Sequence, residues 1–236
     1  MIFMKGNLYN NKKMNNRKNM FLFILAVITF FPFQDLFAHT VNYQLSSFSK
    51  TEIGWFYFKM GYQHILPLGL DHILFVLGLF FLNPKLKSVI WQATAFTVAH
   101  SITLGLAVYG FIQPPSSIIE PVIALSILFI AIENIMTTEL KWWRVLVVFA
   151  FGLIHGCGFA SALNEVGLPE KDYLNALLTF NLGVEAGQLT VIVSAWLLIG
   201  KWFSNKDWYR KRVVIPVSLV IGVIALYWTI ERSFFM

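Results

Sequence analysis

The sequence predicts an all-α integral membrane protein, a bundle of about six transmembrane helices that follows an N-terminal signal peptide. Of its 236 residues, 57% are hydrophobic and 13% are charged, whereas about 25% are charged in an ordinary soluble domain. Six apolar stretches follow one another with short polar breaks, and each is long enough to span a bilayer as a helix. They lie near residues 65–82, 88–112, 117–136, 143–163, 173–200 and 212–230.

The amino terminus has the three parts of a secretory signal peptide. Residues 1–20 carry five basic and no acidic side chains, residues 20–33 are apolar, and Ala38 is a small residue before a polar stretch. This apolar run is short for a transmembrane helix, which needs roughly 20 residues. We therefore expect a signal peptide at 1–38, a short extracytoplasmic segment at 39–64 and a six-helix membrane domain at 65–236. Whether cleavage follows Ala38 is left open.

Lysine and arginine residues predict the orientation of the helices. With His39 outside, the inner loops hold nine basic residues, among them Arg144, and the outer segments hold four, among them Arg232. The mature amino terminus is then extracytoplasmic, and the chain is multi-pass in a bacterial inner membrane. This asymmetry accounts for the net charge of +6, so the lipid bilayer is the expected partner and no nucleic acid is required. A homo-oligomer or an unknown membrane partner is left open.

A histidine and an aspartate open the first apolar stretch, where such side chains are costly and therefore candidate functional residues. Asp71 and His72 offer oxygen and nitrogen ligands that suit nickel, cobalt, zinc or iron. His64 precedes Asp71 by seven residues, about 10 Å of helical rise. It can join the pair only if Pro67 and Gly69 break the helix. The alternative is an aspartate–histidine hydrogen bond that fixes a helix start, with His64 at the membrane interface.

A polar stripe surrounds the histidine of the second stretch. Thr97 and Thr103 lie one turn on either side of His100, and Thr94 lies a further turn back. Hydroxyls and an imidazole on one helical face could line a path for an ion. Hydroxyls also bond helices to one another in membranes, and both interpretations stay open.

The fourth and fifth stretches each contain one candidate residue. His155 lies among glycines, which let neighbouring helices approach closely, so it is expected in a tight helix contact or a cavity. Glu185 shares a helical face with Asn181 and Gln188. A glutamate in this position needs compensation, either a buried partner such as His155 or a bound cation.

Two glutamates lie near the ends of the third stretch. Glu120 precedes Pro121 at the start of the predicted helix, where a carboxylate favours the positive end of the helix dipole, so capping is expected. Glu133 lies near the inner boundary, where a structural role and a role in an ion path are both open. The single cysteine, Cys157, excludes an internal disulfide and a CxxC metal site.

Four motifs resemble, in order, those of the HupE/UreJ family of membrane proteins, which includes nickel and cobalt permeases. They are HILPLGLDHILFVLG at 64–78, TAFTVAHS at 94–101, FGLIHGCGF at 151–159 and FNLGVEAGQ at 180–188. The resemblance covers residues 54–200 and implies a signal peptide, about six helices and histidine–aspartate motifs that serve metal passage. Two features differ from the permeases. One more residue separates the first histidine from the Asp-His pair, and the second histidine and the glutamate of the later motif are missing.

The leading hypothesis is a secondary permease for a divalent transition-metal ion, nickel or cobalt first and then copper, zinc or iron. On this hypothesis we expect a protein that is not an enzyme. We also expect no tightly bound cofactor, because the metal ion is the cargo. The candidate ion ligands are His64, Asp71, His72, His100, His155 and Glu185. The first three would capture the ion at the outer side, and the others would form the passage or a proton relay. The alternative is a non-transporting membrane module that binds or senses a metal or assists assembly of another complex.

Overall fold

The structure is a computed structural model that describes residues 49–160, 163 and 172–235. These residues form helices joined by short loops, and no strand occurs among them. The helices are α1 (Lys50–Ile65), α2 (Leu70–Leu82), α3 (Leu86–Val108), α4 (Ser116–Met136), α5 (Arg144–Gly158), α6 (Tyr173–Phe203) and α7 (Arg210–Phe234). The signal peptide expected at 1–38 lies outside the described residues.

Four helices, α3, α4, α6 and α7, are long and apolar enough to cross a membrane. α1 and α2 pass the same test together, as one span bent by 67°, which raises the number to as many as five. α5 is apolar but has only 15 residues. The all-helical class predicted from the sequence is therefore confirmed, and four to five spans among the described residues are suited to cross a membrane.

Helix α1 lies where the sequence predicts an extracytoplasmic segment. A capping box starts it: the backbone N–H of Ser49 donates to Glu52 Oε2 at 2.8 Å, and that of Glu52 donates to Ser49 Oγ at 3.4 Å. α1 then runs parallel to α6 in close contact, since a Cβ on Gly61 would lie 1.9 Å from the carbonyl oxygen of Phe180. Residues 50–65 thus belong to the same helical bundle as α2, while the predicted domain boundaries stay predictions.

The bundle has two ends that the contacts define. The upper end holds the first residues of α1, α4 and α6, where Lys50 pairs with Asp172 at 3.8 Å. The rings of Tyr109 and Tyr173, 4.3 Å apart, place the last turn of α3 at the same end. The lower end holds the last residues of α2, α4 and α6 and the first residues of α3, α5 and α7.

Large apolar side chains cover much of the outside of the bundle. Leu146 is 62% exposed, Leu182 60% and Val223 68%, and each lies on a different helix. Soluble proteins seldom leave broad apolar areas uncovered. This surface is suited to contact with lipid, and it leaves the polar side chains for the helix interfaces.

Candidate metal centre

The chain turns sharply between His64 and His72, in the break at residues 66–69 that separates α1 from α2. Pro67 has no N–H with which to continue the helix, and its ring disfavours the preceding turn. Gly69 permits the close return of the chain, because a Cβ there would lie 2.1 Å from the carbonyl oxygen of His64. The helix break on which the sequence analysis made the approach of His64 depend is present. It brings the rings of His64 and His72 to a centroid distance of 4.7 Å.

Four histidines from α1, α2, α3 and α5 meet around this break. Ring nitrogens of His64, His72 and His100 lie within 4.8 Å of one another. The ring of His155 lies beside that of His72, with centroids 5.1 Å apart. His72 is 6% exposed, His155 1% and His100 0%. We call these four residues the histidine cluster.

A chain of hydrogen bonds determines which ring nitrogen of His100 carries the proton. Asn181 donates through Nδ2 to the carbonyl oxygen of Leu177 at 2.8 Å, so its Oδ1 faces the imidazole, 3.3 Å from Nδ1. Because an amide oxygen can only accept, Nδ1 of His100 carries the proton. Nε2 therefore holds a lone pair, and it is buried without a hydrogen-bond partner among the described residues.

A serine fixes the proton of His155 in a similar way. Ser126 donates its single hydroxyl proton to the carbonyl oxygen of Ile123 at 2.7 Å. Nε2 of His155 lies 2.9 Å from the same hydroxyl oxygen, so it must be the donor. Nδ1 then holds the lone pair, and it too is buried without a partner in the described part of the chain.

The histidine cluster therefore presents buried nitrogens that other side chains do not satisfy. Nε2 of His64 and Nε2 of His72 are likewise buried and have no hydrogen-bond partner among the described residues. Buried polar atoms are almost always hydrogen-bonded, and the exceptions need an explanation. Neutral imidazoles with a free nitrogen are the commonest ligands of transition metals. The arrangement can bind such an ion.

Phenyl rings enclose the histidine cluster. The centroid of Phe159 lies 4.0 Å from that of His64, and Phe96 and Phe75 lie 5.0 and 5.4 Å from His155. An apolar shell of this kind limits access of water to a metal site and lowers the local dielectric. It also restricts the directions from which an ion can reach the imidazoles.

Asp71 is not one of the residues that meet in the histidine cluster. Its Oδ2 accepts a hydrogen bond from Nη1 of Arg232 at 2.8 Å, and the same nitrogen lies 3.1 Å from Oε2 of Glu120. Successive side chains of a helix point about 100° apart, so Asp71 faces α4 and α7 while His72 faces α3 and α5. α4 begins after Pro115 with no side-chain cap, and the prediction that Glu120 caps it is wrong.

Glu185 also lies outside the group of ring nitrogens that approach one another. Its carboxylate accepts hydrogen bonds from the hydroxyls of Thr94 at 2.6 Å and Thr97 at 2.5 Å. Thr97 also lies 3.4 Å from the amide oxygen of Gln188. The threonine stripe of α3 thus binds α3 to α6 through this carboxylate. His155, which was one of the two kinds of partner considered for Glu185, hydrogen-bonds with Ser126.

The glycines around His155 have the role that the sequence predicts. A Cβ on Gly156 would lie 2.3 Å from the carbonyl oxygen of His100, and one on Gly152 would lie 2.5 Å from that of Phe96. α5 can therefore approach α3 backbone to backbone, which places His155 next to His72.

Sequence reasoning did not identify the roles of Ser126 and Arg232. Ser126 is one hydroxyl in an apolar helix and gives no local signal of its partner. Arg232 does give one, because an arginine in the last turn of an apolar helix needs a counter-charge. We had counted it only as one of the outer basic residues.

Comparison with known proteins agrees with the motifs. A family model described as HupE / UreJ protein matches residues 39–232. The match includes all of the histidine cluster as well as Asp71, Glu185 and Arg232. No curated protein and no solved structure matches the chain significantly. Since the family model covers most of the 236 residues, the chain belongs to the HupE/UreJ family.

Proposed function

We propose that this protein is a secondary membrane permease for a divalent transition-metal ion, with nickel or cobalt as the first candidates. The observation that carries the proposal is the histidine cluster. Four helices each contribute an imidazole, and each imidazole has a buried nitrogen without a hydrogen-bond partner among the described residues. Membership of a family associated with nickel and cobalt transport supports the same conclusion.

The donor set favours transition metals over the abundant hard cations. Mg²⁺ and Ca²⁺ take oxygen ligands, whereas imidazole suits nickel, copper, zinc and iron. The nearest acidic residue in the sequence, Asp71, is bonded to Arg232, so the three ligand atoms that come within 4.8 Å are all imidazole nitrogens. His155 would complete the set as a fourth nitrogen.

A row of polar side chains, here called the polar file, leads from the histidine cluster toward the lower end. Asn181 contacts His100, and Glu185 follows it one turn further along α6. Thr97 and Thr94 face Glu185 from α3 at hydrogen-bond distance. The polar file supports a route in which the ion leaves the imidazoles past a carboxylate, which provides negative charge in an otherwise apolar interface.

The proposed topology has six spans. α1 and α2 together form the first, and α5 forms the fourth despite its length. The signal peptide expected at 1–38 precedes these spans, and the upper end faces the outside of a bacterial inner membrane. The asymmetry of basic residues supports this orientation, because the lower end holds Lys85, Lys87, Lys141, Lys201, Lys206 and Lys211.

Binding and uptake test the proposal separately. Purified protein is titrated with Co²⁺, whose visible absorption reports ligation, and proteoliposomes are assayed for uptake of nickel, cobalt, zinc, copper and iron. We expect His72→Ala to reduce both affinity and uptake by at least the 10–100-fold that loss of a ligand's supporting residue costs. Thr229→Ala is the control, since its hydroxyl donates only within α7, to the carbonyl of Ala225.

The outcomes distinguish the two hypotheses. Uptake that equals the rate of protein-free liposomes for all five metals contradicts the permease. Tight Co²⁺ binding in that case would favour the non-transporting metal-binding module. Uptake that survives His72→Ala would show that the ion does not pass through the histidine cluster.

A further inference from the structure

Three charged residues join three helices just above the histidine cluster. Nη1 of Arg232 on α7 bonds Oδ2 of Asp71 on α2 at 2.8 Å and lies 3.1 Å from Oε2 of Glu120 on α4. The same nitrogen lies 3.4 Å from the carbonyl oxygen of Glu120. The guanidinium also lies over the ring of Trp228, 5.1 Å from its centroid. We call Asp71, Glu120 and Arg232 the upper triad.

The upper triad is directly connected to the histidine cluster. Asp71 and His72 are consecutive residues in the first turn of α2. A movement of the backbone at Asp71 therefore also moves His72. Glu120 lies against the end of α5, where a Cβ on Gly158 would be 3.7 Å from its Oε1. His155 is less than one turn before Gly158. The triad therefore links α2, which carries His72, to α4 and α7, and it lies beside the end of α5, which carries His155.

The upper triad is suited to open as well as to close. Two carboxylates share one guanidinium, which leaves a net negative charge that attracts cations. The side chains of Arg232, Asp71 and Glu120 are 14, 24 and 27% exposed, so water can solvate them when they separate. By contrast, the ion pair between Arg144 and Glu133 at the lower end is 0% and 5% exposed. Separation of a fully buried pair costs far more than separation of a hydrated one.

We propose that the upper triad is the gate of the histidine cluster on its upper side. While Arg232 bridges Asp71 and Glu120, the cluster is closed from that side. An arriving divalent cation competes with the guanidinium for the two carboxylates, and the separation of α7 from α2 and α4 opens the way to the imidazoles. The proposal rests on the proposed function for the identity of the cation, but the opening itself can be tested without a metal.

A thiol placed in the cluster measures access directly. The reporter is His155→Cys in a Cys157→Ser background, which removes the single native cysteine. Sealed vesicles of either orientation receive a cationic, membrane-impermeant methanethiosulfonate, and the rate of thiol modification is measured. The triad variants Arg232→Gln, Arg232→Lys and Glu120→Gln are compared in this reporter. Glu231→Gln is the matched control, because it removes a neighbouring charge that hydrogen-bonds only with Tyr227 among the described contacts.

We expect Arg232→Gln to accelerate modification about tenfold from the upper side, which corresponds to about 1.4 kcal/mol of lost ion pairing. Arg232→Lys keeps the charge and should stay within about threefold of the reporter. Glu120→Gln keeps the contact between Arg232 and Asp71 and should accelerate modification less than Arg232→Gln does. Glu120→Gln also tests the gate if Arg232→Gln does not fold. Glu231→Gln should leave the rate unchanged.

Unchanged rates in both Arg232→Gln and Glu120→Gln would overturn the gate, and so would an acceleration confined to the lower side. A purely structural role of the ion pair would lower the stability of Arg232→Gln and leave the modification rate of folded protein unaltered. If the protein proves not to transport any metal, these rates still decide whether the triad controls access.

Discussion

Asn181 and Ser126, which are not themselves candidate ligands, determine which ring nitrogens of His100 and His155 carry the proton. Asn181 can only accept from His100, and Ser126 has already donated its proton elsewhere. Both imidazoles are therefore held as neutral tautomers with a defined lone pair. Outer partners of this kind orient metal-binding histidines and raise their basicity. Their chemistry lies in hydrogen bonds between helices, which no spacing within the sequence reveals.

Loss of either outer partner should weaken ion binding and leave the fold intact. Asn181→Leu removes the acceptor for His100, and Ser126→Ala removes the acceptor for His155. Each ring could then turn or change tautomer, so we expect Co²⁺ affinity to fall 10–100-fold. Ser101→Ala is the control, because this hydroxyl lies beside His100 in sequence but donates to the carbonyl of Thr97 in its own helix. Equal Co²⁺ affinities in all three variants and the parent would contradict the assigned roles.

Asp71 shows what residue type and spacing cannot predict. An aspartate next to a histidine has the right chemistry for a shared metal site, and we expected both in one cluster. In a helix, however, neighbours point about 100° apart, and the residue that faces each side chain comes from elsewhere in the chain. Arg232 is 161 positions away from Asp71. A partner at that separation becomes visible only once the helices are packed.

At the scale of elements, apolar runs predicted the membrane helices well because each run is a continuous stretch of hydrocarbon-soluble residues. The predicted run at 117–136 corresponds to α4 at Ser116–Met136. The exception is α1, which mixes buried apolar residues such as Ile53 with polar ones such as Gln63. A hydropathy pattern does not distinguish such a helix from a polar segment outside the membrane. The tight contact of Gly61 with α6 explains why α1 nevertheless belongs to the bundle.

The break between α1 and α2 should depend on the missing side chain of Gly69. Gly69→Ala places a methyl group 2.1 Å from the carbonyl oxygen of His64, so the backbone must move and carry His64 away from His72. We expect a loss of stability of about 1–3 kcal/mol, as in other overpacked sites, together with weaker Co²⁺ binding. Thermal unfolding in detergent and Co²⁺ titration measure the two effects.

Gly222→Ala is the matched control for this change. Its new methyl group would lie 3.5 Å from Cβ of Ala131 and 3.8 Å from a methyl of Leu128, which is ordinary contact. Stability and Co²⁺ affinity should both stay close to those of the parent. If the two alanine variants behave alike, the close return of the chain at Gly69 does not determine the geometry of the cluster.

At the scale of the whole molecule, basic residues occupy three different environments that a count of charges does not distinguish. Lys85 and Lys87 lie near the lower end, which the positive-inside rule predicts to be the cytoplasmic side. Arg232 was counted among the outer charges but lies within the upper triad. Arg144 was counted among the inner loop charges but is 0% exposed inside the bundle. Positive-inside counting predicted an orientation, while the positions of the buried Arg144 and the partly exposed Arg232 required the packing of α4 against α5 and α7.

Arg144 connects three helices at the lower end of the bundle. Nη1 lies 3.3 Å from Oε2 of Glu133, and Nη2 donates to Oδ1 of Asn134 at 3.2 Å. Nη2 also lies 3.5 Å from the carbonyl oxygen of Gly78 on α2, to which Asn134 donates at 2.8 Å. The interaction joins α2, α4 and α5 at the lower end through charges that are almost completely buried.

Removal of one member of this pair should destabilise the protein strongly, because it leaves a buried charge without compensation. We expect Arg144→Met to cost about 3–5 kcal/mol in the free energy of unfolding. Replacing both charges, with Arg144→Met and Glu133→Leu together, should recover most of that loss, since a buried ion pair contributes little beyond an apolar pair. Lys141→Met is the control, because its partner Glu139 is 79% exposed and such pairs contribute at most about 1 kcal/mol. Denaturation of these variants, the single variant Glu133→Leu and the parent in detergent measures the coupling, and additive losses in the double variant would show that Arg144 and Glu133 act independently.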